Sequence, residues 1–123
     1  MEKEYVTWDD VNQFVDMVDY QTCRKVSGVY GLPRGGLILA VMLSHRLNVP
    51  LLMSPADNCM IVDDICDSGE SLLHYVNNSS GHEDHKYTIV TMYYKEGAAV
   101  QPDMYSCKKD DKWIVFPWEC TKP

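Results

Sequence analysis

The sequence predicts an α/β protein of three layers, in which a mainly parallel, twisted sheet is covered by helices on both faces. Short segments rich in β-branched and aromatic residues alternate along the chain with segments of helical spacing, and this alternation is typical of parallel strands joined by crossover helices. Small polar loops containing glycine also follow two of the predicted strands and precede helices. Because ligands in such sheets bind beyond the carboxyl ends of the strands, these loops mark the expected site.

The first half of the chain is predicted to contain two helices and three strands. A helix is expected over residues 8–25, because Thr7 and Asp10 have the spacing of a capping box and apolar residues then recur at helical spacing. The other elements of this half are a strand at 26–30, a loop at 31–36, an apolar helix at 37–47, a short strand at 51–53 and a strand at 60–62.

The second half begins with a short helix at 70–76 and a polar surface loop at 77–86. Residues 87–94 are dense in β-branched and aromatic side chains, which favours a strand. A loop at 97–102, a short strand at 104–107 and an apolar patch at 113–116 complete the prediction.

Length and charge limit the classes of function. The 123 residues fit one domain, residues 1–123, and 46% hydrophobic residues suffice for a core. The net charge of −7 would repel a long polyanion, so nucleic acid is not expected as a partner. A small phosphorylated ligand remains compatible with this charge, because a local group of backbone amides or a metal ion can outweigh it.

The cysteines and the apolar segments bear on the compartment. The five cysteines are odd in number and form no Cys-x-x-Cys pair, which favours reduced thiols in a cytoplasmic protein. The first residues lack the apolar core of a signal peptide, and the longest apolar run, 37–43, is too short to cross a bilayer. We therefore expect no membrane partner.

Residues 60–71, Met-Ile-Val-Asp-Asp-Ile-Cys-Asp-Ser-Gly-Glu-Ser, give the strongest indication of function. An apolar run meets the adjacent acids Asp63 and Asp64, and a small polar loop then leads into a helix. Such a loop offers amide N–H groups and a helix N-terminus to an anion, while two carboxylates suit hydroxyl groups or a divalent cation. A sugar phosphate would satisfy both parts. The alternative is an ordinary strand, turn and helix with a solvated acidic corner.

This stretch resembles the signature of the type I phosphoribosyltransferases, which bind phosphoribosyl pyrophosphate (PRPP). The resemblance implies that Asp63 and Asp64 hold the ribose hydroxyls, directly or through magnesium. Asp67 falls where the family places a carboxylate, and it is the candidate general base or proton relay at the imidazole nitrogen of a purine. The resemblance further implies that a five-residue loop wraps the 5′-phosphate: Asp67, Ser68, Gly69, Glu70 and Ser71.

A second glycine-containing loop, Gly-Leu-Pro-Arg-Gly-Gly at 31–36, lies between a predicted strand and a predicted helix. Glycines let backbone N–H groups approach a ligand closely, and Arg34 adds a planar cation that suits phosphate oxygens. On its residues alone, the loop could equally be a plain turn with an exposed arginine. By resemblance it is the pyrophosphate loop, with Arg34 and Gly35 as ligands of PRPP and a cis peptide bond at Pro33–Arg34.

The third group of residues lies near the end of the sequence, where Lys95 follows a strand and an aromatic segment comes about twenty residues later. It resembles the xanthine–guanine–hypoxanthine branch of the family. The resemblance implies that Lys95 contacts a base carbonyl, Trp113 stacks on the purine and Ile114 reads the base edge with its backbone. The alternative is that Trp113 and Trp118 are core aromatic residues and Lys95 is a surface charge.

Two further groups are weaker candidates. The segment His82-Glu83-Asp84-His85 contains residue types that bind metal ions, although a histidine pair in a polar loop is more often solvated. Cys66 lies within the PRPP signature, and it is either a reactive thiol or a small buried filler.

The resemblance covers residues 26–119 but departs from the family at one place. The family usually has a long flexible hood before the acidic motif, and here only residues 53–59 occupy that position. The expected function is transfer of the phosphoribosyl group of PRPP to an oxopurine, with magnesium as cofactor and a homo-oligomer as the assembly. The alternatives are a non-catalytic PRPP or nucleotide sensor, and an enzyme of this fold that uses another base or hydrolyses PRPP.

Overall fold

The computed structural model describes residues 2–23, 25–78 and 87–119. In these ranges three helices and six strands alternate along the chain. They are β1 (Lys3–Tyr5), α1 (Trp8–Gln21), β2 (Val29–Gly31), α2 (Gly35–Leu47), β3 (Met60–Cys66), α3 (Glu70–Asn78), β4 (Thr88–Tyr94), β5 (Met104–Lys108) and β6 (Trp113–Val115). None of the helices described is both long enough and apolar enough to span a membrane.

The main sheet contains four strands in the order β2, β3, β4 and β5, and each neighbouring pair is parallel. A second, two-stranded sheet pairs β1 with β6, also in parallel. The predicted parallel sheet is therefore confirmed, and the carboxyl ends of β2, β3 and β4 meet at one edge.

The two faces of the main sheet are covered by different helices. Met60, Val62 and Val90 belong to the buried cluster that also contains the apolar residues of α1 and α2. Their strand neighbours Ile61 and Ile89 belong to a second cluster, with α3. Because successive residues of a strand point to opposite faces, the sheet lies between α1 and α2 on one side and α3 on the other. The three-layer prediction is confirmed.

The capping box predicted before α1 is present. The Asp10 N–H donates to Thr7 Oγ1 at 3.1 Å, and the Thr7 N–H donates to the Asp10 carboxylate at 3.0 Å. The predicted end of this helix at residue 25 is wrong. The helix ends at Gln21 because Thr22 is extended and returns both its N–H and its hydroxyl to the Val18 carbonyl.

Other elements also differ from the prediction. Strand β2 begins at Val29 and not at 26, and helix α2 begins at Gly35 and not at 37. Strand β1 was not predicted, because its three residues show no alternation of apolar and polar side chains. The strand expected at 51–53 is reduced to one bridge between Leu51 and Val29. Strand β3 continues to Cys66 rather than ending at Val62, so the two acids lie inside the strand and not beyond it.

Candidate active site

Three loops converge at the carboxyl edge of the main sheet. Residues 32–34 follow β2, residues 67–69 follow β3, and Lys95 follows β4 directly. Because β2, β3 and β4 are consecutive and parallel, the sheet itself brings the arginine loop, the acidic motif and Lys95 together.

Two glycines allow the start of α2 to approach the end of β3. A Cβ atom on Gly35 would overlap the Asp64 carboxylate, and one on Gly36 would overlap the Val62 carbonyl. Any larger side chain would push the arginine loop away from the acids. The peptide bond Pro33–Arg34 is cis, as the resemblance implied.

Asp63 and Asp64 form a partly buried acid pair beside this loop. The Asp64 N–H donates to Asp63 Oδ1 at 2.8 Å, and the Ile65 N–H donates to Asp64 Oδ1 at 2.8 Å. Burial, together with the adjacent Asp64 carboxyl, raises the pKa of Asp63 from 3.8 to about 8. The pair therefore favours a proton, a cation or donating hydroxyl groups as its partner.

Magnesium fits this donor set. It is usually bound by one or two carboxylates together with waters and substrate phosphates, rather than by a cage of protein side chains. The acid pair supplies the carboxylates, and the neighbouring arginine loop provides room for a phosphorylated group. Within the described ranges, no three His, Cys, Asp or Glu side chains are grouped as a metal site, so any further ligands would come from substrate or water.

The 67–71 loop has the form of an anion site. It leads into α3, a helix of nine residues whose first turn leaves N–H groups without helical partners. Gly69 lies in the left-handed region, with φ of +82°, and is buried under the backbone of Ala99 and Val100. The remaining four loop residues are exposed: Asp67, Ser68, Glu70 and Ser71. The Glu70 N–H donates to Ser68 Oγ at 3.3 Å.

The 95–100 loop holds the 67–71 loop and the end of β3 in place by three hydrogen bonds. The Lys95 N–H donates to the Cys66 carbonyl at 2.8 Å, and the Ala99 N–H donates to the Ser68 carbonyl at 2.8 Å. The Cys66 thiol donates to the Val100 carbonyl at 3.2 Å. Lys95, expected at the base, is thus fixed relative to the loop expected at the phosphate.

Cys66 is therefore a buried structural thiol rather than a reactive one. It is 1% exposed, and burial raises its pKa above 9.0, which disfavours the thiolate that would act as a nucleophile. Of the two interpretations of this cysteine, the structure supports the buried filler and adds the hydrogen bond to Val100.

Lys95 and Asp67 lie next to each other at a small cavity. The Lys95 Nζ atom lies 3.9 Å from Asp67 Oδ1, and both side chains are about half exposed. They line a cavity of about 360 Å³ together with Ser68 and the following residues of the 95–100 loop. A cation and a carboxylate this close can act on neighbouring atoms of one ligand.

A larger cavity, of about 680 Å³, lies over the arginine loop. Arg34, Gly35 and Asp64, all expected in the site, line this cavity. Sequence reasoning did not place three other lining residues there: Ile38, Trp118 and Glu119.

Trp118 is held at this cavity by other aromatic rings. It stacks on Phe116 with ring centroids 4.8 Å apart and an interplanar angle of 6°, and it contacts Trp8 at 5.9 Å. It packs against the core while also lining the cavity. Its position three residues after β6, near the end of a strand, was the available signal in the sequence.

Comparison with solved structures shows the family of this chain, whereas no family model matches it. The fold is similar to that of purine phosphoribosyltransferase from Pyrococcus horikoshii Ot3, with 30% identity and a TM-score of 0.85, over 100% of this chain and 98% of that one. This chain belongs to the purine phosphoribosyltransferase family.

A curated relative agrees with this assignment, and a further solved structure agrees with the fold. A xanthine-guanine phosphoribosyltransferase of Chromohalobacter salexigens is 28% identical over 138 residues, which cover 93% of this chain and 82% of that protein. The Helicobacter pylori xanthine-guanine-hypoxanthine phosphoribosyltransferase shares the fold at 22% identity and a TM-score of 0.76, over 96% of this chain and 94% of that one. The fold is that of the type I phosphoribosyltransferases.

Residues 53–59 lie between α2 and β3, the position at which the resemblance expects a long hood. None of these residues belongs to a helix or a strand.

The expected base-binding residues Trp113 and Ile114 lie on β6, outside the main sheet. Trp113 is 58% exposed, so it is not a core residue, and its backbone N–H donates to the Glu2 carbonyl at 2.9 Å. Ile114 is buried and pairs with Glu4. Trp113 does not line the cavity at Arg34, where Trp118 is the aromatic residue. The histidine group at 82–85 lies outside the described residues.

Proposed function

We propose that this protein transfers the phosphoribosyl group of PRPP to an oxopurine base, namely guanine, hypoxanthine or xanthine, and releases pyrophosphate. The observation that carries the proposal is the meeting of four groups at one sheet edge: the arginine loop, the acid pair, the 67–71 loop and Lys95. Each group matches a different part of the two substrates.

PRPP can be divided among the first three groups by their chemistry. The amides of the 67–71 loop and the N-terminus of α3 suit the 5′-phosphate. The acid pair accepts hydrogen bonds from the vicinal ribose hydroxyls. Arg34 and the backbone at Gly35 lie at the larger cavity, where a guanidinium can hold the leaving pyrophosphate in bidentate fashion. Bound magnesium, held by Asp63 and Asp64, would neutralise charge on the pyrophosphate.

The base would lie beside Lys95 and Asp67. In an oxopurine the ring carbonyl accepts a hydrogen bond, and it gains negative charge as the imidazole nitrogen gives up its proton. Lys95 can stabilise that carbonyl, while Asp67, 3.9 Å from the lysine nitrogen, can take the proton. The exposed indole of Trp113 offers a stacking face, and the Ile114 backbone offers hydrogen bonds to the base edge. Holding both substrates in line lowers the entropic part of the barrier.

Discrimination against adenine follows from the same contact. Adenine has an amino group where an oxopurine has the carbonyl, so Lys95 would face a donor instead of an acceptor. A site that leaves a polar group unpaired rejects a ligand strongly. We therefore expect turnover with at least one oxopurine and little or none with adenine.

The test is to incubate the protein with PRPP, magnesium and one base at a time, and to measure nucleotide formation and PRPP hydrolysis side by side. Asp67→Asn should lower kcat more than it weakens PRPP binding, since the backbone amides hold the phosphate. Lys95→Ala should reduce turnover of the oxopurine, whereas Lys25→Ala, an exposed lysine at the opposite edge of the sheet, should not. If PRPP binds but no base is converted, a non-catalytic PRPP-binding protein replaces this proposal.

A further inference from the structure

Thr91 is a buried polar residue whose hydroxyl has no evident role in the fold. It lies in the middle of β4 with 0% of its surface exposed. Its Oγ1 atom has no hydrogen-bond partner in the part of the chain that the structure describes. Buried hydroxyls are nearly always paired, because leaving one unpaired costs the free energy of its lost hydration. A valine has almost the same shape and would avoid this cost.

The register of the sheet places Thr91 directly opposite Asp63. The two residues are partners in the parallel pairing of β3 with β4. Ile61 and Ile89, two residues earlier in each strand, both belong to the cluster on the α3 face. Since side chains alternate along a strand, Asp63 and Thr91 both point to this face.

The two side chains are within reach of each other. Neighbouring strands lie about 4.8 Å apart, and directly opposed side chains on one face interact. Asp63 Oδ1 already accepts the Asp64 N–H, which leaves Oδ2 as the oxygen that a second donor can serve.

We propose that Thr91 is a positioning residue for Asp63. When the carboxylate takes up the ribose hydroxyls of PRPP, the Thr91 hydroxyl donates to its second oxygen and fixes its orientation. The hydroxyl is unpaired in the ligand-free protein and paired in the complex, so part of the free energy of binding comes from satisfying it. This inference rests on the proposed function, because it requires a ribose at Asp63.

An ordinary buried threonine would behave differently. A hydroxyl that serves folding alone would destabilise the protein when removed and leave ligand affinity unchanged. Removal of a positioning hydroxyl that is unpaired without ligand should instead leave the folding stability undiminished and lower the ligand affinity. Replacement by valine should therefore stabilise the free protein and weaken the complex.

The experiment compares Thr91→Val, which removes the hydroxyl and keeps the shape, with Thr91→Ser, which keeps the hydroxyl. Denaturant unfolding of the ligand-free protein measures stability, and titration calorimetry measures the Kd for PRPP with magnesium and for pyrophosphate with magnesium. We expect Thr91→Val to unfold at an equal or higher denaturant midpoint and to bind PRPP about tenfold more weakly. Pyrophosphate, which lacks the ribose, should bind with unchanged affinity. Thr91→Ser should stay within about threefold of the wild type for PRPP.

Two results would overturn the inference: a Thr91→Val protein that unfolds earlier than the wild type, or one that binds PRPP as tightly as the wild type. A loss of PRPP and pyrophosphate binding together would also contradict it, because that pattern reports a general disturbance of the site. Failure of the proposed function is separate and is visible in the wild-type protein, which would then convert no base with PRPP, or would not bind PRPP at all.

Discussion

The 67–71 loop and the segment around Trp113 are the two ends of the expected substrate site, and they are held in different ways. The loop follows β3 of the main sheet, and its Ser68 carbonyl accepts a hydrogen bond from the Ala99 N–H of the 95–100 loop. Trp113 lies on a three-residue strand of the second sheet, and more than half of its side chain is exposed. The phosphate end is thus fixed before a ligand arrives, whereas the base end presents an open surface.

This difference suggests how affinity and specificity are divided. A preformed amide site binds any phosphate monoester without a large ordering cost. An exposed aromatic face binds any flat base by stacking, and a few polar groups then select among bases. We therefore expect the phosphate end to set the affinity for all nucleotides and the base end to set the choice of purine.

The largest effect is expected from Gly69→Ala. The residue has φ of +82°, and a Cβ atom would come within 2.8 Å of the Val100 nitrogen, so the backbone of the loop must move. We expect nucleoside monophosphate affinity to fall by about a hundredfold or more, with a loss of about 1–3 kcal/mol in stability. Calorimetric titration and denaturant unfolding measure the two quantities.

Gly97→Ala is the matched control for this substitution. Gly97 has φ of +92°, but a Cβ atom there would have no atom within 4 Å. Only the backbone cost of about 1 kcal/mol should remain, with a much smaller effect on affinity. Equal losses of affinity in the two variants would contradict a preformed phosphate loop.

The next largest effects are expected from substitutions of Trp113 and Trp118, which should change different quantities: purine affinity for Trp113 and stability for Trp118. Trp113→Ala should weaken every purine by about tenfold or more and leave PRPP binding unchanged, because stacking does not depend on the base substituents. Trp118→Ala should instead lower stability by about 2–4 kcal/mol, because its ring packs on Phe116. Competition binding with guanine and adenine, together with unfolding curves, distinguishes the outcomes. If Trp118→Ala alone weakens purine binding, the base lies in the cavity over the arginine loop.

A smaller effect, on stability, is expected from a substitution of Asp63, which lies between the phosphate end and the base end of the expected site. Because its pKa is raised to about 8 in the folded protein, its contribution to stability is fully present below pH 4 and is lost as the pH rises through 8. Asp63→Asn should therefore stabilise the ligand-free, metal-free protein by about 1–3 kcal/mol at pH 8 and leave it unchanged near pH 4. Unfolding curves in chelator at the two pH values provide the measurement, and a constant difference between them would exclude burial of the carboxylate as the cause.

The smallest effect is expected from Cys66→Val, which fills the same space without a donor. It removes the hydrogen bond to the Val100 carbonyl and should weaken nucleoside monophosphate binding by about threefold to tenfold. Cys59→Val is the control, because Cys59 is buried in the same cluster and lies at the opposite end of the sheet, before β3. Similar losses in both variants would show that the 95–100 loop does not need the thiol.

The sequence was sufficient to predict the parts of the fold that depend on local patterns. The alternation of elements gave the parallel three-layer architecture, and the 60–71 and 31–36 motifs lie where a parallel sheet must bring them, at one edge. The capping box at Thr7 is likewise decided by residues three apart.

Features that depend on distant partners could not be predicted. Strand β1 has no pattern of its own and exists because β6 offers it a parallel partner. Trp118 lines the larger cavity because Phe116 and Trp8 support its ring, which no spacing in the sequence reveals. In the sequence, Thr91 is an ordinary strand threonine, and only the strand register shows that it lies opposite Asp63.

The pairing of β1 with β6 has a consequence for the order in which the protein acquires its parts. Lys3 pairs with Trp113, more than a hundred residues later, whereas β2, β3 and β4 pair with neighbours that are much closer in the chain. Contacts of high sequence separation form slowly, because a long loop must close before they can contribute. Pulse-labelling hydrogen exchange during refolding should therefore find the amides of β3 and β4 protected before those of β6. A folding chain would then pass through a stage that already contains the proposed phosphate loop and still lacks β6, the strand that carries the proposed base-stacking residue Trp113.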